Sequence, residues 1–206
     1  MADSKLIEFD LFYDYQCPFV YRASVLLNSV AGSGARQIRT GWRYFSLTQV
    51  NSKADGWTVW DAPPSERVAG RLAFQAAEAA RRQGRFEALH MPLLEATHRD
   101  RLDVDQLSVV EQVASESGLD MERFRSDVAD PTILDALARD HREGARGHGV
   151  FGTPTFVFPD GAAAYVRLGA PVAGADPVEL FDRVVLIAAR EPRIREIKRP
   201  SKPSPD

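Results

Sequence analysis

The sequence predicts an α/β fold, a four-stranded mixed sheet with an all-helical insertion between its two halves. Residues 1–64 contain a strand–helix–strand pattern, residues 65–147 show helical spacing only, and residues 148–190 contain two strands followed by a helix. A βαβ unit pairs its strands in parallel and a hairpin pairs them antiparallel, so one mixed sheet accommodates both halves. Residues 191–206 are rich in proline and basic side chains, and we predict a disordered tail there.

The first half begins with residues 6–12, whose apolar and polar side chains alternate as in a strand. Residues 21–28 have helical character and end at the glycine-containing turn over 31–34. Residues 38–47 are again rich in aromatic and apolar side chains and predict the second strand. These elements together predict a parallel βαβ unit.

Residues 48–64 are predicted to form a loop that carries two tryptophans, Trp57 and Trp60. Large aromatic side chains in a polar loop can line a substrate cleft or close over it as a lid. They can equally anchor the loop to the hydrophobic core. The sequence leaves both interpretations open.

The insertion is predicted to contain five short helices, because apolar side chains recur at helical spacing and no segment shows a strand pattern. Gly84 interrupts the periodicity and separates two of them. Further helices are predicted to begin at Asp103 or Asp105, at Asp120 and at Asp130. A short acidic side chain at these positions can accept hydrogen bonds from the first free N–H groups of a helix.

The second half is predicted to be a hairpin followed by a closing helix. Residues 155–158 and 163–168 have strand character, and the turn-forming residues 159–161 separate them. Asp176 followed by a proline is typical of a helix start, and it predicts the last helix over residues 177–190.

Composition and charge exclude several classes of function. The chain has 206 residues, 44% of them hydrophobic and 27% charged, with a net charge of −3. This composition is ordinary for a globular protein and gives no reason to expect nucleic acid or an anionic membrane as a partner. The N-terminal residues do not resemble a signal peptide, and no apolar run approaches the roughly 18 residues of a membrane span. We therefore expect a cytoplasmic protein.

The only cysteine, Cys17, lies at the predicted joint between the first strand and the first helix. A thiol at a helix N-terminus faces free backbone N–H groups and the positive end of the helix dipole, and both favour the thiolate. Pro18 suits the first helical position because its missing N–H would have had no partner there. A reactive thiolate is one interpretation; the other is a small buried core residue.

Two separated motifs resemble the DsbA family of disulfide oxidoreductases. Residues 14–20, Asp-Tyr-Gln-Cys-Pro-Phe-Val, are similar to the Cys-Pro-x-Cys active site of that family. Residues 149–156, Gly-Val-Phe-Gly-Thr-Pro-Thr-Phe, are similar to its loop before the third strand, in which the proline is cis. With the order of elements, the resemblance extends to about residue 190 and implies a thioredoxin-like fold. Similarity to actinobacterial DsbA-like reductases that use mycothiol is a weaker, finer match.

The resemblance also implies a set of site residues. The catalytic candidates are Cys17, Pro18, Thr153 and Pro154. In the family, the backbone at the position of Thr153 pairs with the substrate or bound thiol as an added strand. The substrate-binding candidates are Tyr15, Phe19, Val20, Trp57, Trp60 and Gly152.

The chain departs from the family pattern at Val20, where the family has its second cysteine. With one cysteine, an intramolecular dithiol–disulfide cycle is impossible. The resemblance then implies that Cys17 forms a mixed disulfide, which an external low-molecular-weight thiol resolves. It implies glutathione or mycothiol as the co-substrate and a small-molecule or protein disulfide as the substrate. No tightly bound cofactor is expected, and a homodimer is compatible with the family and with the apolar helical block.

Two other functions remain open at this stage. Kappa-class glutathione transferases and 2-hydroxychromene-2-carboxylate isomerases are related to the family and have a serine in place of the cysteine, which helps to activate a noncovalently bound glutathione. Alternatively, the chain is a non-catalytic thioredoxin-fold binding protein whose cysteine does no chemistry.

Two titratable residues, Asp14 and His148, lie close in sequence to these motifs. Asp14 is expected to end the first strand and accept a hydrogen bond in the following turn. His148 is the histidine nearest in sequence to Thr153, and it can either activate the thiol or interact with the end of a helix. One cysteine and scattered histidines give no metal-ligand spacing, so we expect no metal site.

Overall fold

The computed structural model describes residues 6–170 and 175–199, and it contains the four-stranded mixed sheet that the sequence predicts. The strands lie in the order β2-β1-β3-β4. β1 pairs with β2 in parallel, while β3 pairs antiparallel with both β1 and β4. The strand bounds are β1 Ile7–Tyr13, β2 Ile38–Tyr44, β3 Thr155–Val157 and β4 Ala163–Tyr165.

Eight α-helices accompany the sheet in the described residues. One 3₁₀ turn, Pro131–Leu134, precedes the seventh. The helix bounds are α1 Pro18–Ser33, α2 Leu47–Asn51, α3 Arg71–Arg82, α4 Phe86–His98, α5 Leu107–Glu116, α6 Met121–Ala129, α7 Asp135–Gly147 and α8 Pro177–Arg190.

The first helix is longer than the sequence pattern indicated. It begins at Pro18, directly after Cys17, and ends at Ser33; the next residue, Gly34, has a φ of 68° in the left-handed region that glycine adopts without steric cost. Proline is well suited to the first helical position, so the helix starts at the cysteine itself rather than at residue 21.

One face of the sheet is covered by α1 and α8. The buried side chains of this layer come from β1, α1, the third strand and α8, namely Phe9, Leu11, Leu26, Leu27, Val30, Phe156, Phe158, Phe181 and Val185. Because side chains alternate across a strand, Phe12 points to the opposite face. There α7 packs so closely that a Cβ added to Gly144 would lie 2.6 Å from Phe12 Cε1.

A third layer of buried side chains joins the end of β1 to the helical insertion. Tyr13, Tyr15, Cys17 and Val20 all belong to this cluster, together with apolar side chains from α3, α4, α5 and α6. The cysteine therefore lies where the sheet, the first helix and the insertion meet.

The last three strands end earlier than predicted. β2 ends at Tyr44 rather than at residue 47, because the Ser46 side chain accepts a hydrogen bond from Gln49 N–H and caps α2, which begins at Leu47 and continues into the predicted loop. β3 and β4 end at Val157 and Tyr165, short of residues 158 and 168.

Three of the four predicted caps were correct and one was wrong. Asp120 and Asp176 cap α6 and α8 as expected. Neither Asp103 nor Asp105 caps α5, because Asp105 accepts a hydrogen bond from Gly70 N–H and Asp103 accepts one from Asp105 N–H. Asp130 caps the 3₁₀ turn that leads into α7.

Residues 191–199 contain no helix or strand, and the rest of the predicted tail, residues 200–206, lies outside the described residues. Among the described residues, none of the helices has the length and apolar character needed to cross a membrane.

Candidate active site

Cys17 occupies the cap position of α1. Its backbone is extended, with φ −86° and ψ 113°, and its carbonyl accepts the first helical hydrogen bond from Val20 N–H at 3.0 Å. Its own N–H donates to the carbonyl of Asp14 at 3.0 Å. The residue is only 4% exposed. The thiol thus lies at the positive end of the longest helix among the described residues and is almost fully buried.

The Cys17 thiol meets the loop before β3. Its Sγ lies 3.2 Å from the carbonyl oxygen of Thr153, and the Thr153–Pro154 peptide bond is cis. A carbonyl only accepts hydrogen bonds, so the neutral thiol donates in this contact. The Thr153 side chain is buried, and its Oγ1 has no hydrogen-bond partner among the described residues. The two motifs therefore form one site.

The loop around Thr153 is held mainly by backbone groups. Pro154 O accepts a hydrogen bond from Val166 N–H at 3.1 Å, and Gly144 O accepts one from Val150 N–H at 2.9 Å. The Thr155 hydroxyl donates to Gly152 O at 2.7 Å. Gly152 itself is buried against the ring of Tyr165.

Asp14 holds the segment before the cysteine. Its two carboxylate oxygens accept from Gln16 N–H at 2.8 Å and from Leu47 N–H at 2.6 Å, so the expected turn hydrogen bond is present and a second one reaches α2. Burial raises the pKa of Asp14 to about 6, although both hydrogen bonds act in the opposite direction.

Tyr15 is held by two histidines of α4. Its hydroxyl lies 3.0 Å from His90 Nδ1, and its carbonyl accepts a hydrogen bond from His98 Nε2 at 2.8 Å. Burial lowers the pKa of His90 to about 3 and also lowers the pKa of His98, so both rings are neutral at pH 7. Tyr15 is fully buried and reaches the core rather than the surface.

The position of the family's second cysteine is taken by Val20, which is fully buried in the cluster that includes Cys17. Pro18 is exposed and Phe19 is half-buried beside it. Phe19 lies under two guanidinium groups, those of Arg22 and Arg167. The thiol is therefore surrounded by apolar side chains, and two cations lie over the ring of Phe19, two residues further along the chain.

The DSBA-like thioredoxin domain model matches residues 8–185. The chain belongs to this family. The chain is 26% identical to an uncharacterized protein of Mycobacterium tuberculosis over 198 aligned residues. The alignment covers 95% of this chain and 83% of that protein. It is also 31% identical over 144 residues to the Na(+)/H(+) antiporter NhaA 3 of Salinispora tropica. That match covers 69% of this chain but spans only 18% of the antiporter.

Solved structures of DsbA-like proteins have the same fold. The probable DsbA oxidoreductase SCO1869 of Streptomyces coelicolor superposes with a TM-score of 0.62 at 21% identity, covering 95% of this chain and 93% of that one. The cytosolic disulfide reductase DsbM of Pseudomonas aeruginosa, solved with GSH, superposes with a TM-score of 0.57 at 18% identity. The superposition covers 87% of this chain and 99% of that one.

The two tryptophans of the 48–64 segment, Trp57 and Trp60, are half-buried and pack against the cluster that contains Cys17. The Trp57 indole N–H donates to Glu66 Oε1 at 3.1 Å, within the same loop region. The Trp60 ring packs against His141 of α7 and under the Arg142 guanidinium. These contacts attach the loop to neighbouring elements, and a direct role at the DsbA-like site remains a prediction.

His148 lies at the C-terminal end of α7. Its ring is 6.0 Å from that of Phe12, and its Nε2 is 4.0 Å from a carboxylate oxygen of Glu143. No hydrogen bond joins it to Cys17 in the described part of the chain. In that part, no group of three or more histidine, cysteine or acidic side chains has a geometry suited to a metal ion.

Sequence reasoning missed His90, His98, Arg22 and Arg167 as neighbours of the DsbA-like motif. The sequence carries one signal for the histidines. They lie eight residues apart in α4, and their spacing from Phe86 is a multiple of four residues, which places all three on one side of the helix. Two histidines on an apolar helical row indicate buried polar partners nearby. For Arg167, only the tertiary structure shows that the residue lies beside the first helix.

Proposed function

We propose that the protein is a single-cysteine thiol–disulfide oxidoreductase in which Cys17 carries a mixed disulfide. One observation supports this above all: the Cys17 Sγ lies at the N-terminus of α1 and 3.2 Å from Thr153 O at the turn before β3. The positive end of the α1 dipole favours negative charge at this position. Membership of the DsbA-like family supports the same chemistry.

In the first step, the Cys17 thiolate attacks one sulfur of a substrate disulfide. A bond forms between Cys17 Sγ and that sulfur, the substrate S–S bond breaks, and the second sulfur leaves as a thiolate that takes a proton from water. The proton of Cys17 passes to solvent before the attack, and the contact with Thr153 O is released. A substrate strand can then pair with the backbone of Thr153, whose N–H donates to no acceptor among the described residues.

In the second step, an external thiol must resolve the mixed disulfide. Val20 occupies the position from which a second cysteine would attack, and a valine side chain has no nucleophile. The thiolate of a low-molecular-weight thiol therefore attacks the substrate-derived sulfur of the mixed disulfide. Cys17 leaves as a thiolate, the external thiol is oxidised into a new disulfide, and the leaving sulfur of the first step remains reduced.

Glutathione or mycothiol is the co-substrate we propose, and a small-molecule or protein disulfide is the substrate. A fold neighbour named as a cytosolic disulfide reductase was solved with GSH, which supports this choice. Such a cycle requires a compartment that maintains a reduced thiol pool, so we propose that the protein works in the cytoplasm.

A second candidate function uses the same site without a covalent bond. Cys17 is almost fully buried, and its thiol donates to Thr153 O, a contact that a serine hydroxyl can also make. This favours a kappa-transferase-like or isomerase-like enzyme in which the residue at position 17 only orients a bound thiol.

Mass spectrometry separates the two functions. The intact protein is incubated with oxidised glutathione or oxidised mycothiol, and we expect a single thiol adduct on Cys17 that excess reduced thiol removes. Cys17→Ser should form no adduct and lose at least a thousandfold in disulfide exchange. A Cys17→Ser variant that keeps full activity with a bound thiol would support the second function and reject the first.

The variant Val20→Cys provides a gain-of-function arm for the same experiment. It restores a Cys-Pro-Phe-Cys sequence on the first turn of α1. If Cys17 forms the mixed disulfide as proposed, the new thiol should displace the adduct and leave an internal disulfide, so the adduct should disappear without added thiol. A persistent adduct in Val20→Cys would show that the two side chains do not meet.

A further inference from the structure

An aromatic side chain and two guanidinium groups lie beside the candidate active site. Phe19 is the second residue of α1 and follows Cys17 by two positions. The Cζ atom of Arg167 is 4.1 Å from the centroid of the Phe19 ring, and that of Arg22 is 5.3 Å from it. We call these three residues the arginine–phenylalanine cluster.

The segment that carries Arg167 contacts both halves of the site. Val166 N–H donates to Pro154 O, and Leu168 O accepts a hydrogen bond from the Arg22 side chain at 3.0 Å. Arg167 lies between these two residues and contacts Phe19. The cluster therefore joins the start of α1, directly after Cys17, to the segment that is hydrogen-bonded to the turn at Pro154.

Both cations lack a carboxylate partner in the described part of the chain. Most other arginines in that part pair with an acidic side chain, as Arg36 does with Asp182, but neither Arg22 nor Arg167 does. A guanidinium that lies over a ring has five N–H donors, and those that meet no protein acceptor can bind a carboxylate. Arg22 uses one of its five N–H groups on Leu168 O and retains the others.

We propose that the arginine–phenylalanine cluster selects low-molecular-weight thiols and disulfides that carry carboxylates on both sides of the cysteine, the glutathione type, over neutral sugar thiols such as mycothiol. This inference rests on the proposed function in taking the ligand to be a thiol compound. Neighbouring Cα atoms in a peptide are 3.8 Å apart, so the carboxylates of a tripeptide lie roughly 4–8 Å from its central cysteine. Arg22 follows Cys17 by five residues, an axial rise of about 7.5 Å in a helix, so a carboxylate of a ligand whose sulfur meets Cys17 can span that distance.

The test measures equilibrium binding by calorimetry with S-methylglutathione, which carries two carboxylates and cannot form a disulfide, and with its diester, which carries no carboxylate. The reduced wild-type protein should bind S-methylglutathione about tenfold more tightly than the diester. The double variant Arg22→Gln/Arg167→Gln should lose that preference, because each exposed guanidinium–carboxylate pair contributes a factor of a few. Arg22→Lys/Arg167→Lys keeps the charges without the planar stacking and should retain part of the preference.

A matched control removes the same charge elsewhere. Arg190→Gln/Arg195→Gln alters two arginines on the last helix and the segment after it, and it should bind both ligands as the wild type does. Wild-type binding of neither ligand or of both equally, an unchanged preference in the Arg22/Arg167 variant, or the same loss in the control would each overturn the inference. Absence of a Cys17 adduct with disulfides would reject the covalent mechanism alone, because S-methylglutathione binding does not depend on it.

Discussion

The two halves of the candidate active site are held in place by different kinds of interaction. The cysteine loop, residues 14–17, is tied to the helical insertion and α2 by side chains, those of Asp14, His90 and His98. The proline turn, residues 150–154, is tied to α7 and β4 by backbone hydrogen bonds and by packing. The cysteine loop should therefore respond to single polar substitutions and to pH, while the proline turn should respond to changes of volume beneath it.

The largest effect is expected from Gly144→Ala, which acts on the proline turn. A Cβ at this position would lie 2.6 Å from Phe12 Cε1, and the Gly144 carbonyl also accepts the hydrogen bonds of His148 and Val150. Phe12 packs with Phe45 and two valines and cannot move freely. Such overpacking costs about 1–3 kcal/mol, so we expect the free energy of unfolding to fall by about 2 kcal/mol in urea titrations.

The matched control is Gly147→Ala in the last turn of the same helix. An added Cβ there meets only Glu143 Cγ, at 3.9 Å. Alanine is the better helix former by about 1 kcal/mol in a helix interior, so this variant should be neutral or slightly more stable. Equal losses in the two variants would indicate a general effect on α7 rather than pressure on the proline turn.

The elements that border this site differ in how far the sequence alone could predict them. Cys17 with Pro18, and Thr153 with Pro154, are local patterns, and the strands and helices around them carry periodicities that a single chain displays. The five-residue helix α2 was missed because Leu47 continues the apolar pattern of β2, and only the Ser46 cap distinguishes the two.

The contacts between distant elements could not be predicted in this way. A histidine on an apolar helical row, such as His90, has the same local signature whether it contacts Tyr15 or another polar group. The approach of Arg167 to Phe19 depends on the register of β4 and the position of α1, which are properties of the assembled sheet. The composition of the site beyond its two motifs therefore follows from packing.

A pH-dependent effect is expected at Asp14 in the cysteine loop. Burial raises its pKa to about 6 in the folded protein, compared with about 3.9 in an unfolded chain. Between these values the folded state binds more protons than the unfolded state, so Asp14 makes the protein less stable as pH rises from about 4 to 6. Above about pH 6 both states are ionised and the penalty is constant.

Comparison with Asp14→Asn isolates this contribution, because the other titrating groups are common to both proteins. From pH 7.5 to pH 4.5, the wild type should gain about 2 kcal/mol of unfolding free energy relative to Asp14→Asn. Asp130, whose pKa is lowered to about 2 mainly by Arg82, is the control. Its stabilisation is lost only as pH falls below about 4, so the difference for Asp130→Asn should stay nearly constant over the same range. A flat difference for Asp14→Asn as well would contradict a raised pKa in the cysteine loop.

The smallest effect is expected at His98, which donates from Nε2 to the carbonyl of Tyr15 and stacks on the ring of Tyr21. His98→Ala leaves that carbonyl without its partner, and a lost hydrogen bond of this kind costs about 1 kcal/mol. Tyr15 lies two residues before the buried thiol. The lost hydrogen bond should therefore lower the free energy of local opening of the cysteine loop. Opening that is easier by 1 kcal/mol raises the open population about fivefold, so alkylation of Cys17 by iodoacetamide should accelerate by about that factor.

His98→Gln is the conservative control, because its side-chain amide can donate to the same carbonyl although it cannot stack on Tyr21 in the same way. It should restore most of the protection of Cys17 against alkylation. If His98→Ala accelerates alkylation no more than His98→Gln does, the histidine stabilises α4 without positioning the thiol. The polar anchoring of the cysteine loop would then rest on Asp14 and on the contact between Tyr15 and His90.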